Sequence, residues 1–381
     1  MKKFKGKTII IITLFLCVFG MLMIYSASYY GAGLKYGDCF YFVKKQLIGF
    51  VLGVALFFFA LFFNYHNFIK LKWYIIGTSF VLLILVFIPF IGISSNGARR
   101  WIGIGGFTIQ SSEIAKFAFV IFASCYMSKN YNKMKTFKGC LPILFTGGLT
   151  CMLILLEPNL SVTLCVGMVM LSMLFVGGMK FKHFLIILIP ALALVPILIL
   201  IEPYRLQRLT AFLNPWANPQ EEGFQLIQSL YSLGGGGLFG VGLFNSRQKY
   251  LFLPFSESDF IFSIIGEEFG FVGCVLICLV YVILIAQGIK VAINAADRLG
   301  CYLAFGITMV IATQLLINIA VVTGSIPPTG IPLPFISAGG TSLSVFMGAI
   351  GILCNVANSS EYNKAEFSMI KIFKKRKLKK V

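Results

Sequence analysis

Ten stretches of about 20 mostly apolar residues run through this chain, each long enough to cross the hydrocarbon core of a bilayer as a helix. They lie near residues 8–28, 46–64, 73–93, 112–128, 141–157, 160–178, 183–201, 259–288, 299–321 and 341–357. In lipid, every backbone N–H and C=O must find a partner without water, and a single segment does that only as a helix. Hydrophobic residues make up 58% of the chain and charged ones 12%, against about half and about a quarter in an average soluble domain. The expected class is an all-α polytopic membrane protein of ten transmembrane helices, with a large extracytoplasmic loop between helices 7 and 8. Residues 1–358 then form one membrane domain containing the loop 202–258, and residues 359–381 a basic cytoplasmic tail. The apolar run after Met1–Lys7 is too long for a cleavable signal and no A-x-A site follows it, so it reads as a retained first span. The ten cysteines fall mostly inside spans with no C-x-x-C spacing, as packing residues do.

Orientation follows from charge. The chain carries 32 Lys and Arg against 13 Asp and Glu, and cations flanking spans are retained on the cytoplasmic side. With the N-terminus inside, most of them fall in cytoplasmic segments: the N-terminal Lys2 to Lys7, Lys70 and Lys72, Lys129 to Lys138, Lys180 and Lys182, Lys290 and Arg298, and the tail. Both termini are then cytoplasmic, and three polar connections, 94–111, 202–258 and 322–340, lie outside. The tail sequence KKRKLKK, next to a last span, reads as a partner for anionic lipid headgroups, with no nucleic acid implied.

The outer loop 202–258 is too long to be a plain connector. Phe224, Ile227, Leu230, Tyr231 and Leu233 recur at helical spacing, which predicts a short amphipathic or re-entrant helix on the outer leaflet. Gly234–Gly237 follow, as either a tightly packed turn or a backbone cradle for a lipid-linked diphosphate. No Gly-Lys-Ser/Thr follows them, which excludes a nucleotide loop. Arg99, Arg100, Arg205, Arg208, Arg247 and Lys249 are outward cations that run against the charge bias, so they face either lipid headgroups or an anionic, phosphorylated lipid substrate. The segment TGSIPPTGIPLPFISAGGTS holds four prolines and four glycines and reads as an irregular outer loop packed against protein.

Carboxylates at depth are expensive and need partners. Glu113 and Lys116, three apart, are expected to pair on one helix face; Glu157, Glu267 and Glu268 must face a bundle interior or a wet cavity. In LPFSESDFIFSIIGEEFG, Ser258 or Asp259 sits where span eight should begin, as an N-cap. That is the leading reading from the residues alone; Asp259 becomes useful as a general base only if partial desolvation raises its pKa against the helix dipole. Glu257 reads as a solvated loop charge, and Glu267 with Glu268 as internal anchors.

Several long motifs resemble one family in the same order: NGARRWIGIGGFTIQSSEIAKF, EPNLSVTL, RLTAFLNPWANPQEEGFQLIQSLYSLGGGGLFGVGLFNSRQKYLFLP, DFIFSIIGEEFGFVG and INIAVVTGSIPPTGIPLPFISAGGTSL. Over nearly its whole length the chain resembles the SEDS proteins (shape, elongation, division and sporulation), and within them the FtsW and SpoVE branch. The resemblance implies a peptidoglycan glycosyltransferase that polymerises lipid II into β-1,4 glycan on the outer face of the bacterial cytoplasmic membrane, in division or sporulation septal wall synthesis. It makes Asp259 the catalytic residue. It makes Lys45, Arg100, Glu113, Lys116, Arg208, Gln225, Arg247, Gln248, Lys249, Ser337, Gly339 and Gly340 candidates for substrate binding, allows a divalent cation such as Mg2+, and implies a class B penicillin-binding protein as transpeptidase partner, alongside other division or sporulation membrane proteins. The sequence departs from the family pattern at Phe255 and Asn159, where relatives carry acids, and at Ala338, where they carry Tyr. Those departures leave two other readings open: a lipid II flippase, or a non-catalytic scaffold of the division machinery.

Overall fold

The computed structural model describes residues 5–95, 98–104, 107–221 and 223–359. Long helices occupy each expected span: α1 (Lys7–Tyr36), α2 (Tyr41–Phe62), α3 (Phe68–Leu85), α4 (Ser111–Lys129), α5 (Phe137–Leu156), α6 (Leu160–Gly177), α7 (Phe181–Ile201), then α10 (Ile261–Ile293), α11 (Arg298–Val322) and α12 (Gly340–Ser359). Two shorter helices, α8 (Pro203–Leu213) and α9 (Phe224–Gly235), stand in the long loop. Among the described residues, nine helices are long and apolar enough to cross a membrane. The tenth, α4, has the length but carries Glu113 and Lys116 and less apolar character. It can do so because it sits at the centre of the bundle, where 15 of its 19 residues are buried and its neighbours are α3, α5, α6, α11 and α12. The N-terminal Lys2 and Lys3 and the basic tail fall outside the described residues.

Three expectations change. Span three does not run over 73–93: a 3-10 turn at Tyr65–Asn67 leads into α3, which ends at Leu85. Lys70 and Lys72 belong to the helix, because long aliphatic stems let their ammonium groups reach past the apolar rim. The loop 94–111 is not simply polar coil. It folds as β1 (Gly92–Ser95), β2 (Ala98–Ile104) and β3 (Phe107–Gln110), an antiparallel sheet in the order β1-β2-β3. Gly105-Gly106 between two apolar runs was the available hairpin signal. Finally, α9 forms where the periodicity predicts a helix, but Leu226, Ile227, Ser229 and Ser232 are its buried face, while Leu230 and Tyr231 are exposed. Its seat is therefore α10, with Ser229 Oγ 2.8 Å from Ser263 Oγ and Ser232 Oγ donating to the Ser263 carbonyl at 2.9 Å.

Small residues set the closest helix contact. A Cβ on Gly49 of α2 would stand 2.4 Å from the Gly340 Cα at the start of α12, and Ser344 Oγ donates to the Gly49 carbonyl at 2.7 Å. This is the close backbone approach that drives association where helices cannot gain from leaving water.

Helix α10 is broken. Gly270 lies at φ 68°, ψ −168°, a region open essentially to glycine alone. The Glu267 and Glu268 carbonyls accept instead from Val241 N (2.9 Å) and Gly242 N (3.0 Å), while Phe271 N and Val272 N donate to the Gly237 and Leu238 carbonyls at 2.9 and 3.1 Å. Loop 236–242 thus replaces the interrupted helix ladder, as buried backbone polar groups require. The glycine run supplies the proximity: a Cβ on Gly236 would meet the Gly266 carbonyl at 2.0 Å, and one on Gly240 the Glu268 carbonyl at 2.2 Å. The packed-turn reading holds at Gly236, while Gly234, Gly235 and Gly237 have open space beside them.

Candidate active site

Asp259 stands two residues ahead of α10. The N-cap is Phe260, whose side chain makes no capping bond, so neither Ser258 nor Asp259 caps the helix. The chain is turned away from a capping geometry by the tight turn before it, where Phe255 adopts φ 55° and its carbonyl accepts from Ser258 N and Phe260 N at 3.1 and 3.3 Å.

The irregular segment 323–339 then holds the turn by its backbone. Ser337 Oγ donates to the Ser258 carbonyl at 2.5 Å and accepts from Leu333 N at 2.7 Å. Asn318 Nδ2 of α11 donates to the carbonyls of Asp259 and Ile331, both at 2.8 Å. Ala338 N donates to the Glu257 carbonyl at 2.9 Å. Gln46 of α2 fixes the segment in turn, donating to the Ser337 carbonyl at 3.2 Å and accepting from Gly339 N at 2.9 Å. Every one of these bonds ends on main chain, so the Asp259 side chain is positioned without being consumed. Gly330 lies beside it: a Cβ there would be 3.1 Å from Oδ2.

The Asp259 carboxyl keeps some exposure, yet it is surrounded closely enough that desolvation raises its pKa to about 6. Arg208 and Arg100 pull it back down, while Glu257 adds to the rise. Arg208, on α8, donates to the Pro328 carbonyl at 2.8 Å. Arg100, on β2, donates through Nε to the Glu157 carbonyl at 3.1 Å and through Nη2 to the Pro158 carbonyl. Glu157 is itself buried, with Ser111 Oγ donating to it at 2.8 Å, and desolvation pushes its carboxyl up to about 8. It acts on the mouth through its backbone, by aiming a guanidinium. Asn159 caps α6 by accepting from Val162 N at 3.3 Å. Glu257 is not a solvated loop charge: it is half-buried and desolvation raises its pKa, while Ser256 beside it is tied to the Ala27 carbonyl of α1 at 3.2 Å.

Other sequence candidates lie elsewhere. Lys249 is buried, 3.2 Å from Glu268 Oε1 and over the Tyr29 ring; it neutralises an internal carboxylate and does not face the mouth. Glu267 accepts from Ser246 Oγ, from Arg247 N at 2.9 Å and from Ser232 Oγ at 3.3 Å, so Arg247 and Gln248 are held by their backbone, with the Arg247 side chain exposed. Glu268 also accepts from Ser26 Oγ at 2.6 Å. These two glutamates are the internal anchors expected of them. Glu113 and Lys116 pair at 2.7 Å with both side chains buried; Ser342 Oγ donates to Glu113 at 2.9 Å, and Lys116 reaches Gln314 at 2.5 Å, which holds the Pro332 carbonyl. They support the segment beneath Asp259 from inside. Lys45 is exposed in the first turn of α2, bonded to Tyr41 OH at 2.6 Å. Gly340 opens α12.

Beside Asp259 opens a cleft of about 260 Å³ lined by Arg208, Glu221, Phe224, Gln225, Pro254, Phe255 and Pro328. Sequence reasoning named Arg208 and Gln225 but missed Glu221, Phe224 and Phe255 as cleft residues, since α9 looked like a leaflet helix. No three His, Cys, Asp or Glu side chains gather among the described residues. The carboxylates at the mouth, Asp259 and Glu257, do not make a protein-only cage for Mg2+.

The model of a protein family described as cell cycle protein, that of FtsW, RodA and SpoVE, matches residues 7–362. The chain is 43% identical over 356 residues to stage V sporulation protein E of Bacillus subtilis (strain 168), covering 93% of this chain and 97% of the relative. It is 40% identical over 368 residues to the probable peptidoglycan glycosyltransferase FtsW of Geobacter sp. (strain M18), covering 94% and 98%. A solved chain from work on the structural coordination of polymerization and crosslinking by a peptidoglycan synthase complex superposes with a TM-score of 0.76 at 25% identity, covering 93% of this chain and 98% of that one. The rod shape determining protein RodA of Thermus thermophilus superposes with a TM-score of 0.68 at 24% identity, over 93% and 97%. This last likeness is one of fold.

Proposed function

The chain belongs to the cell cycle protein family of FtsW, RodA and SpoVE, and on that premise we propose that it is a peptidoglycan glycosyltransferase that polymerises lipid II with Asp259 as general base. One observation carries the assignment of the base. Asp259 is fixed by main-chain bonds at the mouth of the bundle, no described residue donates a hydrogen bond to its carboxylate, and desolvation raises it to about 6, in the range where a base is both ionised and strong enough at neutral pH.

The reaction is an in-line displacement. Asp259 takes the proton of the acceptor sugar's 4-hydroxyl. The oxygen attacks the anomeric carbon of the donor, the bond from that carbon to the diphosphate oxygen breaks with inversion, and its electron pair leaves on undecaprenyl diphosphate. Arg100 and Arg208, already within electrostatic range of Asp259, oppose the charge that develops on the departing oxygen, where fixed cations contribute most.

The protein is a multi-pass membrane protein. The bias of Lys and Arg supports cytoplasmic termini, an extracytoplasmic mouth, and one ten-helix domain over 1–358 followed by a basic tail. The kinship to a synthase complex that couples polymerization to crosslinking supports a class B penicillin-binding protein as the partner that crosslinks the product. Purified protein incubated with lipid II, with and without that partner, is expected to yield glycan strands from wild type and none from Asp259→Asn. Equal product from both would remove Asp259 as base, and transport of lipid II across liposomes without polymer would replace the polymerase with a flippase.

A further inference from the structure

The cleft beside Asp259 has a composition that neither the base nor the guanidinium groups require. Two aromatic rings, Phe224 from α9 and Phe255 from the turn that carries Asp259, line it together with two prolines, one amide, one carboxylate and one guanidinium. Phe255 is exposed at 46%, although an aromatic ring beside water gains nothing from hydrophobic burial. It also sits at φ 55°, a left-handed conformation that costs a bulky residue energy and persists where the surroundings impose it. A glycine there would relieve the backbone, giving up only the contacts of a ring that is 46% exposed. The ring is thus retained against a local cost, on the wall of a cleft.

What the cleft accepts follows from its chemistry. Glu221 on the wall disfavours a diphosphate, whose charge has the same sign. An apolar tail would take the charges of Arg208 and Glu221 out of water against hydrocarbon, a costly arrangement. A neutral pyranose ring suits all of them: its C–H face lies on an aromatic ring, and its hydroxyl and acetamido groups meet the carboxylate, amide and guanidinium. At about 260 Å³ the cleft lies just below the usual range of ligand pockets, which run from about 300 Å³ upward, a size that suits a single ring. Phe255 and Asp259 are four residues apart on one rigid turn, with Phe255 O bonded to Ser258 N and Phe260 N, so a ring placed by Phe255 is placed relative to the base.

We propose that this cleft is the subsite for the terminal N-acetylhexosamine of the acceptor, with Phe255 and Phe224 as its stacking wall and Glu221 and Gln225 as its polar rim. The proposal rests on the polymerase reading and adds to it the residues that select and orient the attacking sugar. Phe255 is a binding residue whose loss falls on substrate affinity.

The test uses full-length protein and initial rates over a range of lipid II concentrations for wild type, Phe255→Ala, Phe255→Gly, Phe224→Ala and Phe255→Tyr. KM is expected to rise about tenfold in the Ala and Gly variants, with kcat falling less, as for a lost binding contact. Phe255→Tyr keeps the ring and should restore KM. Phe255→Gly should melt no lower than wild type, which separates lost binding from lost folding. Wild-type KM in both Phe255→Ala and Phe255→Gly would overturn the proposal. Saturation-transfer NMR with the soluble N-acetylglucosaminyl–N-acetylmuramyl disaccharide gives a readout independent of polymerisation. Wild type that makes no polymer but binds the disaccharide through Phe255 would sink the polymerase reading and keep the subsite; no binding to wild type would sink the subsite.

Discussion

Asp259 and the Glu267–Glu268 pair lie within ten residues on one stretch of chain, yet they live in opposite regimes. The glutamates are already engaged: hydroxyls and backbone N–H groups occupy both oxygens of Glu267, and Ser26 with the buried Lys249 ammonium occupies Oε1 of Glu268, whose Oε2 alone is buried without a partner. Asp259 has its neighbours bound to its backbone and its carboxylate left for something that arrives later. Depth in an apolar protein is therefore a poor guide to function. The number of donors already spent on a carboxylate is a better one, because a saturated carboxylate has nothing left to offer a substrate.

The contrast predicts opposite mutational signatures. Asp259→Asn should cut polymerisation by about 10³- to 10⁴-fold, the upper range for removing a general base, while the protein melts no lower. It should even gain stability near neutral pH. A carboxyl whose folded pKa is raised to about 6 contributes stability below its unfolded pKa and loses that contribution as pH climbs through 6. A thermal melt of Asp259→Asn below that of wild type at pH 7.5 would break the comparison. Glu268→Ala should do the reverse, costing about 3 kcal/mol or more of stability by stranding the buried Lys249 charge. Glu268→Gln combined with Lys249→Met should recover most of that loss, and thermal unfolding in detergent reads both.

Gly270→Ala probes the join between the two sites. Strain at a glycine-only conformation costs on the order of 1–3 kcal/mol, and the new Cβ would lie 2.4 Å from Gly240 N, so stability should drop and the clamp on loop 236–249 should loosen in hydrogen exchange. The mildest test is titration. Because the base must be ionised, kcat/KM should fall tenfold per pH unit below a midpoint near 6, a limb that a saturated carboxylate would not produce. A flat profile from pH 5 to 8 would contradict the base assignment.

Much of this was legible in the sequence, and what was not has a physical pattern. The spans follow from apolar length alone, so the helices appear in order, with α3 starting earlier than expected because Lys70 and Lys72 read as loop residues. The catalytic candidate was legible because its motif resembles a family's. The internal anchors were legible because carboxylates in lipid demand partners. Less accessible was anything decided by backbone exchange between distant segments. The break at Gly270 depends on loop 236–242 being near, and the seat of Asp259 depends on Ser337 and Asn318, some 60 to 80 residues away in sequence. The three-stranded sheet was signalled by Gly105-Gly106 but was passed over because a polar outer connection looks like coil. Lys249 was misplaced because a cation in an outer loop looks available until its partner, on another helix, is known.

The interruption at Gly270 also changes how the molecule meets its membrane. Below it, α10 is a lipid-facing rod, with Phe271, Leu276, Leu279 and Val282 exposed. Above it, the first turns are bound to loop 236–249 and to the seat of Asp259. The other face of the lower rod is packed: Tyr281, Leu284 and Gly288 are buried, Tyr281 OH donates to the Pro334 carbonyl, and a Cβ on Gly288 would meet Thr308 of α11. The break is therefore a splice, in which the turns leading to Asp259 take their backbone bonds partly from their own helix and partly from loop 236–242.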